Sequence, residues 1–231
     1  MLKVESLNQA YGGSQILWNM QLDVPEGSCT CLMGRNGVGK TTLLRTIMGS
    51  LRVKSGKIDF AGKDLAGLPA EQRARRGIGF VPQGREIFPQ LTVGENLELG
   101  VVAFGSRKPV PNKIFELFPV LKSMIRRRGG DLSGGQQQQL AIGRALAINP
   151  KLLIRDEPAE GIQPNIVTMI GDILMKLREE GLTILLVEQN VERALSISDR
   201  AYIMDQGLIV HAGTAAELLA DKAIQDRYCA V

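Results

Sequence analysis

The run Gly34-Arg35-Asn36-Gly37-Val38-Gly39-Lys40-Thr41, followed by Thr42, fits the pattern G-x-x-x-x-G-K-[ST]. It follows the apolar segment Cys29-Thr30-Cys31-Leu32-Met33 and precedes the helix-like Thr42-Leu43-Leu44-Arg45-Thr46-Ile47-Met48, so it joins a strand to a helix. Glycines let successive N–H groups turn inward toward a phosphate chain, and the helix aims the positive end of its dipole at the same charge. In such a loop Lys40 reaches the β- and γ-phosphates, and the Thr41 hydroxyl holds Mg²⁺. An accidental Gly-rich turn would lack this strand, this helix and the Lys-Thr ending.

A chain of 231 residues is long for one typical domain but suits a single α/β unit with appended lobes. Apolar residues at 44% and charged residues at 23% are the mixture of a globular protein with a real core. The net charge of +4 comes without a dense basic tail, so no nucleic-acid partner is expected. Apolar runs are short, as in Ile184 to Val187, and the first residues lack a signal-peptide pattern; the chain is expected neither to span nor to cross a membrane by itself. Cys29, Cys31 and Cys229 make no disulfide framework. Cys29 and Cys31 share one face of the strand that feeds the phosphate loop and read as small buried thiols rather than a metal pair.

The first lobe is β-rich. Met1 to Leu7 alternates apolar and polar, Tyr11-Gly12-Gly13 turns, and Ile16 to Val24 resumes extended character before Pro25-Glu26-Gly27. Tyr11 fits two uses equally: an aromatic beside a turn can stack on a purine base or pin a hairpin. Gly56 to Gly62 reads as another short strand, and Glu71 to Arg76 as a charged helical turn with a solvated face. Gly79-Phe80-Val81-Pro82-Gln83 is a strand that stops at a proline and presents a glutamine, whose carbonyl suits Mg²⁺ and whose amide suits a γ-phosphate or water. The composition then turns helical, with a Thr92–Glu95 capping box, a connector from Gly105 to Pro111, and an apolar helix around Ile114 to Leu121. Roughly Gln83 to Asn149 forms an inserted helical lobe, leaving 1–82 and 150–231 for the core and its β lobe.

Within that lobe, Leu132-Ser133-Gly134-Gly135-Gln136 leads into a Leu/Ala/Ile helix. Ser133 is placed as its N-cap, and the two glycines admit an anion to free N–H groups, which makes a second phosphate-binding surface. Gln136 to Gln139 read as the helix's polar side. Lys151 to Ile154 then lead through Arg155 to the carboxylates Asp156 and Glu157. Asp156 suits Mg²⁺ through water, while Glu157 suits the attacking water as base or orienter. Arg155 is out of character, since a cation in a core strand is expensive unless paired or at an edge. Leu182 to Val187 is a nearly continuous apolar strand of the kind found in a parallel sheet covered on both faces, and Asn190 caps the segment after it. A hairpin around Gly207 and a capping box at Thr214-Glu217 close the chain. His211, the single histidine, has no visible acid–base partner and reads as a surface or edge residue.

The phosphate loop, Gln83, the Leu-Ser-Gly-Gly-Gln run and Asp156-Glu157, in that order, resemble the ATP-binding subunit of an ABC transporter over essentially the whole chain. The resemblance implies a P-loop NTPase α/β core with a parallel sheet, an antiparallel β lobe and a helical lobe. Two such subunits join head to tail, each ATP lying between one phosphate loop and the partner's signature run. Carried over, Tyr11 stacks on adenine; Gly34, Arg35, Asn36, Gly37, Val38, Gly39, Lys40, Thr41 and Thr42 bind phosphates. Thr41, Gln83 and Asp156 serve Mg²⁺, and Gln83 also couples to the membrane subunit. Ser133, Gly135 and Gln136 meet the partner's nucleotide, Glu157 is the general base, and Gln189 holds the switch position. The implied assembly has a second ATPase, two transmembrane permeases and a periplasmic solute-binding protein, with this chain peripheral on the cytoplasmic face of the inner membrane.

Glu160-Gly161-Ile162-Gln163-Pro164 and Val187-Glu188-Gln189-Asn190 are similar to the second ATPase of branched-chain amino acid importers. Pro82 to Phe88 and Arg127 to Gln139 resemble the urea branch more closely, which makes urea the expected cargo and branched-chain or related amino acids the alternative. Four positions depart from the family pattern: Gln189 replaces histidine, Gln163 an aspartate, Arg155 a leucine-like residue and Ala159 a threonine. A regulatory subunit with little turnover, a soluble ABC ATPase outside transport, and a small-molecule kinase are the other classes weighed. Because an amide cannot become cationic, the hydrolysis rate should show no histidine-like titration near pH ~6.5. A pH–rate profile checks this: a step there that survives His211→Ala and disappears in Gln189→Ala contradicts the role given to Gln189.

Overall fold

The computed structural model describes residues 1–102, 109–156, 162–188 and 190–228. In chain order the elements are β1 (Leu2–Tyr11), β2 (Ser14–Val24), β3 (Cys29–Met33), α1 (Lys40–Met48), β4 (Ser55–Phe60), β5 (Lys63–Asp64), α2 (Ala70–Arg75), β6 (Ile78–Val81), α3 (Val93–Val102), α4 (Asn112–Leu117) and α5 (Pro119–Ser123). A 3₁₀ turn at Gly129–Asp131 leads to α6 (Gly134–Leu146), β7 (Leu152–Arg155), α7 (Pro164–Glu179), β8 (Thr183–Val187), α8 (Val191–Ser196), β9 (Arg200–Asp205), β10 (Leu208–Thr214), α9 (Ala215–Ala220) and α10 (Lys222–Tyr228).

The strands form two sheets. The first is antiparallel, in the order β2-β1-β4-β5, and its alternating sequence buries Leu2, Val4 and Leu7 while Lys3 and Glu5 face outward. The second has the order β10-β9-β3-β8-β7-β6; β3, β6, β7, β8 and β9 run parallel, and only the outer hairpin strand β10 is antiparallel. Every residue of β3, β7 and β8 is buried. The continuous apolar runs follow from that double burial. Leu152, Ile154, Leu185 and Val187 enter a core with Leu43, Leu44 and Ile47 of α1, whereas Leu153, Ile184 and Leu186 enter one with Leu140 of α6 and Leu174 of α7. Helices α1 and α6 therefore cover opposite faces of one sheet.

Caps read from the sequence are present. Thr92 and Glu95 bond reciprocally, Thr214 and Glu217 do the same, and the Asn190 side chain accepts from the Arg193 N–H at 2.9 Å. His211 lies on β10 and makes a tilted contact with the Tyr228 ring, 5.4 Å between centroids. Cys29 and Cys31 are both buried, as expected; burial pushes the Cys29 thiol up to about 11. Cys229 lies outside the described residues.

Two expectations need correction, and Arg155 keeps the out-of-character position read from the sequence. The Glu71 to Arg76 turn is not wholly a solvated face, because Arg73 is 1% exposed. Its guanidinium donates to Thr46 O at 2.7 Å and Ile47 O at 2.8 Å, carbonyls of the last turn of α1, and also to Leu68 O at 2.8 Å. A helix leaves its final carbonyls without internal partners, and a buried cation satisfies them and the negative end of the dipole together. The glutamines of α6 are not one polar side either: Gln138 and Gln139 are buried at 2% and 4%. Four consecutive helical residues sweep roughly 300° around the axis, so they cannot share a face. Arg155 is neither at an edge nor hydrogen-bonded at Nε and Nη2 among the described residues. It sits between β6 and β8 at 3% exposure, and burial lowers its guanidinium to about 10 while nearby Glu188 opposes the shift.

Opposite outcomes are expected for the two buried arginines in urea unfolding. Arg73→Met should lower stability by about 2–4 kcal/mol, because several charged hydrogen bonds are lost and buried carbonyls are orphaned. Arg155→Leu combined with Glu188→Gln should raise it by about 1–3 kcal/mol, since an apolar side chain and a neutral amide replace two desolvated charges. Alkylation at pH 8 followed by mass spectrometry should leave Cys29 and Cys31 unmodified until the chain is unfolded.

Candidate functional site

In the parallel sheet the strands end along one edge in the order β9, β3, β8, β7, β6. The phosphate loop follows β3, Asp156 follows β7, and Gln83 follows β6 two residues after Val81. Glu188 follows β8, directly before Gln189. Residues scattered over 155 positions of sequence are thereby gathered at the carboxyl ends of adjacent parallel strands, where open α/β sheets bind ligands.

The loop is held by contacts that the motif alone does not announce. Gly34 has φ +146°, and a Cβ there would lie 2.2 Å from the Met204 carbonyl oxygen of β9. Gly39 has φ +111° and would place a Cβ 2.8 Å from the Met204 side chain and 3.0 Å from Leu17. Gly37, with φ +80°, has open space on that side, so its requirement is conformational. The Val38 carbonyl accepts from Gly207 N–H at 3.0 Å, and the Gly207 carbonyl accepts from Trp18 N–H at 2.9 Å. One turn between β9 and β10 thus braces both the loop and the first lobe.

Arg35, Asn36 and Gly37 are exposed at the loop's tip, and Val38 is half-buried. Lys40 is 4% exposed and donates from Nζ to Gly34 O at 2.7 Å and Arg35 O at 2.9 Å. Its ammonium is therefore folded back over the loop, ready to exchange carbonyl oxygens for phosphate oxygens. Thr41 and Thr42 occupy the first turn of α1, and Thr42 is buried at 8%. Asp156 is buried at 2%, with its N–H on Val81 O at 2.9 Å, while Gln83 is exposed. A hydroxyl, an amide oxygen and a carboxylate from Thr41, Gln83 and Asp156 are all hard oxygen donors, the chemistry that fits Mg²⁺. Tyr11 ends β1 and is 45% exposed, opposite Ser14 across the hairpin turn. Its position admits both uses given above.

Ser133 is exposed at the N-cap of α6, where its Oγ accepts from Gln136 N–H at 3.4 Å and its own N–H donates to Gln136 Oε1 at 2.9 Å. Gln136 thus closes a capping box, a role the sequence reading did not give it. A Cβ on Gly135 would lie 3.2 Å from Ile166 of α7, so that glycine also permits close helix packing. The side-chain bond of Ser133 closes the cap of its own helix, so its exposed end is held in one orientation.

The segment after Gln83 is the other feature that the sequence reading missed. Gly84, Arg85 and Glu86 carry φ values of +77°, +71° and +44° in succession. Left-handed backbone at two non-glycine residues costs about 1–2 kcal/mol each. Arg85 donates from Nη1 to Gln137 Oε1 at 3.2 Å, and Arg144 donates to Glu86 O at 2.8 Å while its guanidinium lies 5.2 Å from the Phe88 ring centre. A Gly followed by Arg-Glu gives no sign of three left-handed residues, because contacts with the distant α6 help to hold them. Beside this segment lies an open, mainly apolar groove of about 360 Å³ lined by Phe80, Phe88, Leu99 and Arg144, among others. Glu157, Ala159 and Gln189 lie outside the described residues.

Residues 17–160 match the family model described as "ABC transporter". The chain is 44% identical over 232 residues to the high-affinity branched-chain amino acid transport ATP-binding protein BraG of Pseudomonas aeruginosa, covering 99% of both chains. It is 40% identical over 223 residues to the probable branched-chain amino acid transport ATP-binding protein LivF of Archaeoglobus fulgidus, covering 95% of this chain and 94% of that one. Among solved structures, a dimeric post-hydrolysis ATP-binding cassette bound to ADP and Pi superposes with TM-score 0.83 at 26% identity, covering 93% of this chain and 99% of that one. With a phosphate loop, a capped signature helix and a buried strand-end aspartate set on this sheet, the chain belongs to the ABC transporter family as one of its ATP-binding, ATP-hydrolysing subunits.

Proposed function

We propose that this subunit powers an importer of branched-chain amino acids or closely related solutes, working as one of two ATPases joined head to tail beneath a pair of permeases. The observation that carries the paired arrangement is the likeness, at TM-score 0.83 and 26% identity, to a dimeric ATP-binding cassette bound to ADP and Pi. In that arrangement the capped N-terminus of α6 serves the nucleotide of a second copy or a sister subunit. The urea reading gives way to its alternative, because relatives that span the whole chain carry branched-chain amino acids in their names. Phe88, Leu99 and the rest of the apolar groove beside the Gln83 segment support a permease contact on this side. Among the described residues no helix is long and apolar enough to cross a membrane, which fits a peripheral subunit on the cytoplasmic face. A periplasmic solute-binding protein would complete the assembly.

In the proposed cycle the loop N–H groups and Lys40 bind the triphosphate, and Tyr11 supports the adenine. Thr41, Gln83 and Asp156 would hold Mg²⁺, which would supply charge neutralisation to the triphosphate. The partner's signature helix, through Ser133, Gly135 and the Gln136 that closes its cap, seats on the γ-phosphate and excludes water except the attacking one. Glu157 takes that water's proton, and Gln189 donates its amide to the γ-phosphate.

Light scattering should find Glu157→Gln with ATP at twice the 25.1 kDa chain mass, and the same variant without nucleotide at the single mass. In steady-state assays Glu157→Gln and Ser133→Arg should each lower ATP turnover by about 100-fold or more, with nucleotide affinity of the isolated chain unchanged in Ser133→Arg. Wild-type turnover in Ser133→Arg argues against the composite site. Deleting the gene should abolish high-affinity uptake of leucine, isoleucine and valine; loss of urea uptake instead restores the urea reading.

A further inference from the structure

On the reading just given, the Gln83 segment senses one nucleotide while the N-terminus of α6 serves the other. These two parts are joined directly. Arg85, two residues after Gln83, donates from Nη1 to Gln137 Oε1 at 3.2 Å, and Gln137 stands in the first turn and a half of α6, next to Gln136 of the capping box. Gln137 also donates from Nε2 to Gly129 O at 3.3 Å, so its amide is held at both ends. The backbone that presents Arg85 is the left-handed run Gly84-Arg85-Glu86, and its far end is fixed by Arg144 from α6 through Glu86 O at 2.8 Å. Uncommon φ at two non-glycine residues persists only where surrounding contacts over-determine it. Two of those contacts come from α6, beside the local bonds from Arg85 N–H to Pro82 O at 3.2 Å and from Glu86 N–H to Gly84 O at 2.9 Å, so a displacement of this segment is transmitted to α6.

The geometry points to Arg85 and Gln137 as a positioning pair that links the nucleotide bound at a chain's own Gln83 to the signature helix with which that chain closes its partner's site. Neither residue touches nucleotide in this assignment; both act through the elements they join. Loss of the pair leaves the phosphate loop intact, so a single chain still binds ATP. It uncouples α6 from that binding, so nucleotide-driven pairing weakens.

The test is a double-mutant cycle in the full-length Glu157→Gln background, with ATP-driven pairing read by light scattering and ATP affinity of the single chain by calorimetry. Arg85→Ala and Gln137→Ala should each weaken pairing about fivefold or more, the double variant should be no worse than the poorer single, and single-chain ATP affinity should stay within about twofold. Gln137→Glu keeps an acceptor for the guanidinium but loses the donor to Gly129 O, so it should pair more tightly than Gln137→Ala. Singles that pair like the parent, singles whose losses multiply in the double variant, or a loss matched by an equal loss of single-chain ATP affinity would overturn the assignment. A Glu157→Gln parent that never pairs with ATP would instead defeat the head-to-tail reading on which this inference rests.

Discussion

The structure depends on a parallel sheet buried on both faces. Because each parallel strand must be re-entered by a crossover, the strands deliver their carboxyl ends to one edge, and the segments leaving β3, β6, β7 and β8 are obliged to meet there. Double burial supplies the energy: Leu152, Ile154, Leu185 and Val187 enter one core and Leu153, Ile184 and Leu186 the other, so alternate residues of the same strands stabilise two different helix layers. The chemistry at the edge is inherited from that packing. Asp156 is buried at 2% because it continues a strand whose every residue is buried.

Two of the loop glycines join fold to site more tightly than phosphate binding alone requires. Gly34 lies against the Met204 carbonyl and Gly39 against the Met204 and Leu17 side chains, so the loop, β9 and β2 are packed as one body. Gly207 extends that body, since a Cβ there would lie 1.9 Å from the Ile16 carbonyl oxygen. The β10 hairpin and the antiparallel lobe are consequently anchored to the same few backbone atoms that shape the phosphate loop. At the other end of α1, buried Arg73 closes the helix whose N-terminus faces that loop.

Much of this was legible in the chain. The phosphate loop, the capping boxes at Thr92 and Thr214, the Ser133 cap and the fully buried strand at Thr183 to Val187 each rest on a local spacing or an unbroken apolar run, which neighbours along the sequence specify on their own. Arg73 and the glutamines of α6 were not legible, because a polar side chain is assigned to solvent until a distant segment is seen to cover it. Arg73 looks like any surface cation in Glu71 to Arg76, and only the carbonyls of Thr46 and Ile47, some 26 residues away, explain why it is inside.

The sequence by itself determined the class of fold and the nucleotide chemistry, since those follow from residue types at short, fixed intervals. Tertiary structure alone decided that α1 and α6 cover opposite faces of the sheet, that Gly84, Arg85 and Glu86 turn left-handed, and that Arg85 meets Gln137. Those features depend on contacts between segments some fifty residues apart or more, and no local propensity encodes which distant surface a helix or a guanidinium will meet.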